Sequence, residues 1–274
     1  MPKHIKFELT GTHRTTNTEL RHYWDNVRNR EDRILETSTR NSYCTTLDES
    51  IFEYSQNDDE IILCLQYDGL YGINNINRLL QKSNPNPSVK WEVNTYKIND
   101  PVVFNDSRRF EPTIYNNLKG KITNIQKSEN QIDFEIEVDR SISELDTWGI
   151  YGLTWIPNPS TNKSTIGFSV TRRYNEDEDT TAQETIVPFC VSYATSIHKA
   201  QGLEYDSVKI VITNEIDERI SHSIFYTAIT RAKNKLRIYW SPETENKILS
   251  SMIEEKSSIK RDVNLIQQKY PNLF

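Results

Sequence analysis

From Val89 to Pro188 the chain is nearly all short runs in which apolar and polar residues alternate, and on either side of that stretch it is not. The runs are "WEVNTYKI", "PVVFN", "KGKITNIQK", "QIDFEIEV" and "STIGFSVTRRY", with turn residues between them. Alternation with a period of two puts one face of each run on a core and the other in solvent, as antiparallel strands require. Short strands at such spacing fold as small barrels. The texture changes at "KSNPNPSVKW", where two prolines and small polar residues break the pattern. "NLKGK" is expected to be a tight turn, and the acidic run "NEDEDT" at 175–180 a solvated loop. Trp148 and Trp155 are expected in the barrel core, with base stacking as the alternative.

The flanks have a different grammar. In "NTELRHYWDNVRNRED", Leu20, Tyr23, Trp24 and Val27 fall at i, i+3, i+4 and i+7, and Asn17 is the candidate N-cap. "EIILCLQY" predicts a strand buried on both faces, ended by Asp68-Gly69. A second helical stripe follows through Ile73, Ile76, Leu79 and Leu80. Strand, turn, helix is the signature of an α/β layer. After Pro188 that texture returns: "FCVSYA", "SVKIVIT" and "KLRIYW" predict strands, "ISHSIFYTAITRAK" a helix, and "ETENKILSSMIEEKSSIKRDVNLIQQK" a terminal amphipathic helix. The expected organisation is one α/β domain, residues 1–87 plus 189–274, interrupted by a β-rich insertion at 88–188.

Bulk composition narrows the function. With 274 residues there is ample core, and 26% charged residues against 35% hydrophobic describe a polar-surfaced globular protein. No apolar run reaches the eighteen or so residues that a membrane span needs, and "MPKHIKFELT" has no apolar signal region, so the expected compartment is the cytoplasm. Cys44, Cys64 and Cys190 are odd in number and far apart, and are read as reduced packing residues. The net charge of −6 argues against a broad electrostatic face for nucleic acid. Any such contact must come from a few placed groups.

Those groups are concentrated in two stretches. In "ATSIHKAQGLEYDSVKIVI", Thr195, Ser196, His198 and Lys199 follow a strand-like run, and ligands of open α/β sheets collect at the carboxyl ends of strands. Hydroxyls, an imidazole and an ammonium there can meet phosphate oxygens. Gly202 permits a positive φ or a close backbone approach, and Glu204 suits a hydroxyl pair such as a ribose. In "FYTAITRAKNKLRIYW", Phe225, Ala228 and Ile229 form a helical packing face with Ala232 following in the same row, which puts Thr230 and Arg231 near a buried edge. Arginine in such a place recognises a planar carboxylate or phosphate, or forms a structural ion pair.

Together these stretches resemble the last two signature motifs of superfamily 1 helicases of the RecD and UvrD kind. "TSIHKAQGLEYDSVKIVI" is similar to motif V and "YTAITRAKNKLRI" to motif VI, in the family's order. More loosely, "LTGTHRTTNTELRHYWDNVRN" resembles motif IV, and "IILCLQYDGLYGINNINRLLQ" the strand and asparagine-bearing helix of RecD-like members. The insertion sits where that branch carries an SH3-like subdomain. The resemblance implies a second RecA-like, P-loop-NTPase-like domain. In it, Arg231 is the arginine finger and Arg14 its partner on the γ-phosphate. Gln201, Gly202 and Glu204 would face the nucleotide, and Thr195, His198, Lys199 and Thr230 would line a single-stranded DNA track, with RNA also open.

The family's Gly-x-x-x-x-Gly-Lys-Ser/Thr loop and its Asp-Glu strand are missing from this sequence. ATP and Mg2+ are therefore expected to need an N-terminal RecA-like domain, and this chain alone is expected not to hydrolyse ATP. No resident metal site is expected. The alternatives are a non-catalytic helicase-like module that binds nucleic acid or protein, and a nuclease subunit, for which no His/Asp/Glu cluster at metal spacing is present.

Overall fold

The computed structural model describes residues 15–54, 59–157, 163–172, 182–214 and 220–269. Arg14 and the acidic run at 175–180 lie outside the described residues.

In chain order the elements open with helices α1 (Thr18–Arg28) and α2 (Ile34–Arg40), then strands β1 (Cys44–Thr45) and β2 (Glu60–Cys64) and helix α3 (Ile73–Ser83). Strands β3 (Ser88–Trp91), β4 (Asn94–Lys97), β5 (Pro101–Phe104), β6 (Lys119–Lys127) and β7 (Gln131–Val138) follow. Helix α4 (Glu144–Thr147) precedes β8 (Leu153–Ile156), β9 (Ser164–Thr171), β10 (Phe189–Val191), β11 (Ala194–Ser196) and β12 (Tyr205–Val211). Helix α5 (His222–Ile229), strand β13 (Ala232–Tyr239) and helix α6 (Pro242–Lys269) complete the chain.

Packing divides these elements into two compact units, Met1–Ile51 with Asp58–Leu65 and Ala200–Phe274, and Phe52–Asn57 with Gln66–Lys199. The divisions fall at 65/66 and 199/200, whereas the change of sequence texture falls at 87/88 and 188/189.

The first unit is α/β. Its four strands run parallel in the order β1-β13-β12-β2. All five residues of β2 are buried, four of them the apolar run Ile61–Cys64 that a covered parallel sheet calls for. Helix α1 starts where the Asn17 side chain accepts the N–H groups of Glu19 and Leu20, and its stripe Leu20, Tyr23, Trp24 and Val27 is fully inside. The Asn26 amide, on the same helix, donates to the Thr37 hydroxyl of α2 at 2.9 Å. Phe225 of α5 stacks on Trp240 just after β13, centroids 5.6 Å apart. A charged pair sits within the sheet, Lys209 Nζ on β12 lying 3.2 Å from Glu60 Oε1 on β2.

The second unit is β-rich. Six antiparallel strands run in the order β10-β5-β6-β7-β9-β8, and β3 with β4 forms a separate hairpin. The alternation in β7, inward at Ile132, Phe134, Ile136 and Val138, is the period-two pattern of its sequence. Rings of Tyr96, Phe104, Phe110, Phe134, Phe168 and Phe189 fill the core, mostly edge-to-face or tilted. Helix α3 lies against β11, where the Asn77 amide donates to the Ala194 carbonyl and its oxygen accepts the Ala194 N–H, both at 2.9 Å.

Several expectations need correcting. "FCVSYA" is two strands, because Phe189–Val191 pairs with Val102–Phe104 of the antiparallel sheet and the chain then leaves that ladder at Ser192. "WEVNTYKI" is not one strand but spans a hairpin, turned at Glu92, whose φ is +51°. Ala232 does not continue the helical row of α5; it opens β13. Trp148 is 87% exposed, at the end of α4 just before the positive-φ Gly149, rather than in the core, while Trp155 is partly buried against the core. Cys190 is exposed, not a packing residue, whereas Cys64 is buried and its thiol is pushed up to about 12 by burial. Among the described residues no helix is long and apolar enough to cross a membrane, and no group of three or more His, Cys, Asp or Glu is placed to hold a metal ion.

Candidate nucleotide and nucleic-acid site

The motif stretches fall on both units, the chain passing from one to the other between Lys199 and Ala200. In the first unit the centre of the arrangement is Arg231. Helix α5 is started by the Ser221 hydroxyl, which accepts the Ile224 N–H at 3.3 Å, and it buries Phe225, Ala228 and Ile229. It ends at Thr230, whose hydroxyl lies 2.9 Å from the Tyr226 carbonyl and 3.1 Å from that of Thr227. Arg231 then turns the chain into β13.

Arg231 as a whole is only 5% exposed. Nε donates to the Thr227 carbonyl at 2.9 Å, Nη1 to the Leu203 carbonyl at 2.9 Å, and Nη2 to the Thr230 hydroxyl at 3.2 Å. The Arg231 carbonyl in turn accepts the Tyr205 N–H at 2.9 Å, which begins the β12–β13 ladder. Arg231 is thus bonded from both sides to the segment that carries Gln201, Gly202 and Glu204. A planar group with five N–H donors is suited to gathering several carbonyls at once.

That segment is a turn. The Leu203 N–H donates to the Ala200 carbonyl at 3.0 Å, and Gly202 has φ +89°. A Cβ on Gly202 would meet nothing within 4 Å, so glycine is needed here for its backbone conformation and not for room. Gln201 and Gly202 are exposed. The Glu204 carboxylate is 3.9 Å from Lys233 Nζ on β13, a loose pair open to solvent. Arg231, Thr230, Gly202 and Glu204 are therefore brought together, through Leu203.

In the second unit Thr195 lies on β11 and is half-buried, while His198 and Lys199, beyond it, are exposed. The Lys199 N–H donates to the Ser196 hydroxyl at 3.2 Å, which fixes the turn. Lys199 Nζ stands over the Tyr67 ring, 5.7 Å from its centroid, within the range of a cation–π contact. Sequence patterns do not single out Tyr67. The signal available is an aromatic residue one position before an Asp-Gly turn at the end of a buried strand.

The sequence model of the UvrD-like helicase C-terminal domain matches residues 191–239, from the last residue of β10 to the last of β13. Residues 191–239 are thus similar to UvrD-like helicase C-terminal sequence. The match takes in both stretches that carry the candidate residues. Similar curated proteins include the RecBCD enzyme subunit RecD of Buchnera aphidicola subsp. Schizaphis graminum, 27% identical over 183 residues, which cover 66% of this chain and 25% of that one. RecD of Mycolicibacterium smegmatis is 39% identical over 46 residues, 17% of this chain and 8% of that one. An uncharacterized protein of Methanocaldococcus jannaschii is 25% identical over 129 residues, 40% of this chain and 11% of that one. The chain thus spans about a quarter or less of the length of these relatives. Among solved structures, Bacteroides Pif1 bound to ssDNA has a TM-score of 0.48 at 17% identity, covering 94% of this chain and 57% of that one. Pif1 helicase from Candida albicans has a TM-score of 0.46 at 12% identity, covering 88% and 57%.

Proposed function

We propose that this chain is the C-terminal motor half of an ATP-dependent superfamily 1 DNA helicase. The observation that carries the reading is the match over residues 191–239, which holds both motif-like stretches in the family's order. On this reading the parallel-sheet unit is a second RecA-like domain and the β-rich unit includes an SH3-like insertion that guides or separates strands. ATP and Mg2+ would be held by an N-terminal RecA-like domain, with Gln201, Gly202 and Glu204 facing the nucleotide from this side and Glu204 near the ribose. Arg231, with Arg14, would neutralise charge on the γ-phosphate during hydrolysis. Thr195, His198, Lys199 and Thr230 would hold the backbone of a single strand of DNA, and closure and reopening of the nucleotide cleft would step it along.

A second reading has an observation of its own. The Arg231 guanidinium is buried and bonded to the Thr227 and Leu203 carbonyls, which is the setting of a structural arginine. In that case the chain is a helicase-like module that binds nucleic acid or protein without turnover.

ATP hydrolysis by the full-length gene product, with and without single-stranded DNA, separates the two. A motor shows strand-stimulated turnover, and Arg231→Lys, which keeps the charge but loses the planar fork, lowers it by about three orders of magnitude at unchanged folding. Turnover that survives Arg231→Lys assigns the residue to the fold, and absence of strand-stimulated turnover favours the module.

A further inference from the structure

The loop between β2 and α3 carries none of the residues assigned so far, yet it is closely built. The carbonyls of Gln66 and Tyr67 accept the N–H groups of Ile73 and Asn74 at 3.1 and 3.0 Å, and the Gly72 N–H returns to the Gly69 carbonyl at 3.1 Å. Side chains complete the frame. The Asn74 amide donates to Asp68 Oδ1 at 3.1 Å, the Asn75 amide to the Leu70 carbonyl at 2.8 Å, and Arg78 Nη2 to Asn75 Oδ1 at 2.7 Å. A loop so ordered still turns apolar groups outward, with Tyr67 46% and Leu70 61% exposed.

Asp68, Gly69, Leu70, Asn74, Asn75 and Arg78 surround a depression of about 470 Å3. That volume lies in the range of small-ligand sites, roughly 300–1,000 Å3. Its lining is the Leu70 side chain, two carboxamides, a guanidinium and the Asp68 carboxylate, whose Oδ1 accepts from the Asn74 amide; the first four groups suit the face, the edge and the phosphate of a nucleotide. Asn74 and Arg78 also line a larger concavity of about 840 Å3 that continues along α3 past Gln81 to Asn94 and Thr95, so a ligand longer than one nucleotide has somewhere to go. On the other side Tyr67 lies beneath Lys199, one of the residues given to the strand track. A protein partner would call for more contiguous apolar surface than Leu70 and Tyr67 supply.

We propose that this depression receives one nucleotide of a single strand, its base against Leu70 with the Asn74 and Asn75 amides at the edge and its phosphate on Arg78, while the neighbouring base stacks on Tyr67. The assignment rests on the single-strand track proposed above and extends it by a pocket that motifs V and VI do not contain.

The test uses this chain and a thymidylate dodecamer carrying 5-iodouracil at single positions, read by photocrosslinking and peptide mapping, with affinity measured by anisotropy. The expected adduct is on Tyr67. Tyr67→Phe keeps the adduct and the affinity, Tyr67→Ala loses both, with affinity falling about tenfold, in the range of one stacked base. Arg78→Gln reduces the slope of log K against log salt by about one. Adducts confined to other segments, with affinity indifferent to Tyr67→Ala, overturn the pocket and leave the track standing. Loss of the adduct on adding free thymidine monophosphate, with the strand still bound, assigns the pocket to mononucleotides and also overturns it. No binding of the dodecamer at low salt overturns both.

Discussion

The Nη1 group of Arg231 donates to the carbonyl of Leu203 across 2.9 Å, tying the end of α5 to the turn that carries Gln201, Gly202 and Glu204. One side chain thereby sets the spacing between two motifs that are far apart in the chain. Arg231→Ala leaves the Leu203 and Thr227 carbonyls without these donors inside the fold. The expected cost is roughly 1–3 kcal/mol of unfolding free energy, measured by urea titration. A loss well under 0.5 kcal/mol would mean that the arginine does not hold the turn.

Lys209 and Glu60 form a buried ion pair at 3.2 Å, each side chain 8% exposed, with the Ser207 hydroxyl also donating to Glu60 at 2.8 Å. Lys209→Met leaves the Glu60 carboxylate in the sheet without its cation and is expected to cost about 3–5 kcal/mol. Replacing both, Glu60→Met with Lys209→Met, should recover most of that loss, because desolvation of the pair offsets much of its attraction. A double-mutant cycle in denaturant measures the difference.

Asp100 is fully buried and accepts four donors, Tyr193 Oη at 2.7 Å, Asn84 Nδ2 at 2.9 Å, Gln81 Nε2 at 2.6 Å and the Lys97 N–H at 2.8 Å. Burial nevertheless holds its pKa above the usual carboxylate value, the bonds from Gln81, Tyr193 and Asn84 opposing it. The folded protein then keeps this proton at a pH where the unfolded chain has released it. Asp100's contribution to stability should therefore fall as pH rises from the unfolded value of about 3.9 through the folded one, and be level above that. Urea midpoints across that window should slope for the native protein and lose this component in Asp100→Asn.

Gly72 and Gly202 are constrained for different reasons. Gly72 has an extended backbone, but a Cβ there would lie 2.3 Å from the Asp68 carbonyl oxygen. Gly202 has room but φ +89°. Gly202→Ala should cost about 1–2 kcal/mol, and Gly202→Asn less, since asparagine tolerates that region. Gly72→Ala must displace backbone and should cost more. Thermal unfolding of the three variants orders them.

Trp148, in the segment between α4 and β8, is 87% exposed. Trp148→Ala should change stability by no more than about 0.5 kcal/mol, and acrylamide should quench the fluorescence that the substitution removes. A large loss of stability would place the ring against the core after all.

The stripe Leu20, Tyr23, Trp24 and Val27 with its Asn17 cap was legible because a helix is a local object, and its period and its cap are both written within eleven residues. The four apolar residues of β2, Ile61–Cys64, were legible for the same reason. "FCVSYA" was not. An apolar run carries no mark of which sheet will take it, and the break at Ser192 exists only because Val102–Phe104 is there to pair with Phe189–Val191. Ala232 was misplaced because the helical row ran on in sequence while the parallel ladder with Tyr205 pulled the chain into a strand. The residue types of the candidate site were plain in "TSIHKAQGLEYDSV" and "YTAITRAK", but Tyr67 was hidden, since its meeting with Lys199 spans more than a hundred residues.

The sequence by itself determined the α/β and β-rich textures, the start of α1 at Asn17, the glycine turn at Gly202 and the presence of two motif-like stretches, because each depends on residues within a few turns of one another. Tertiary structure alone decided that Arg231 is buried on the Leu203 carbonyl, that Asp100 is sealed among four donors, and that Trp148 is outside while Tyr67 lies beneath Lys199. Burial and partnership are properties of whatever the rest of the chain brings alongside, and no local period records them.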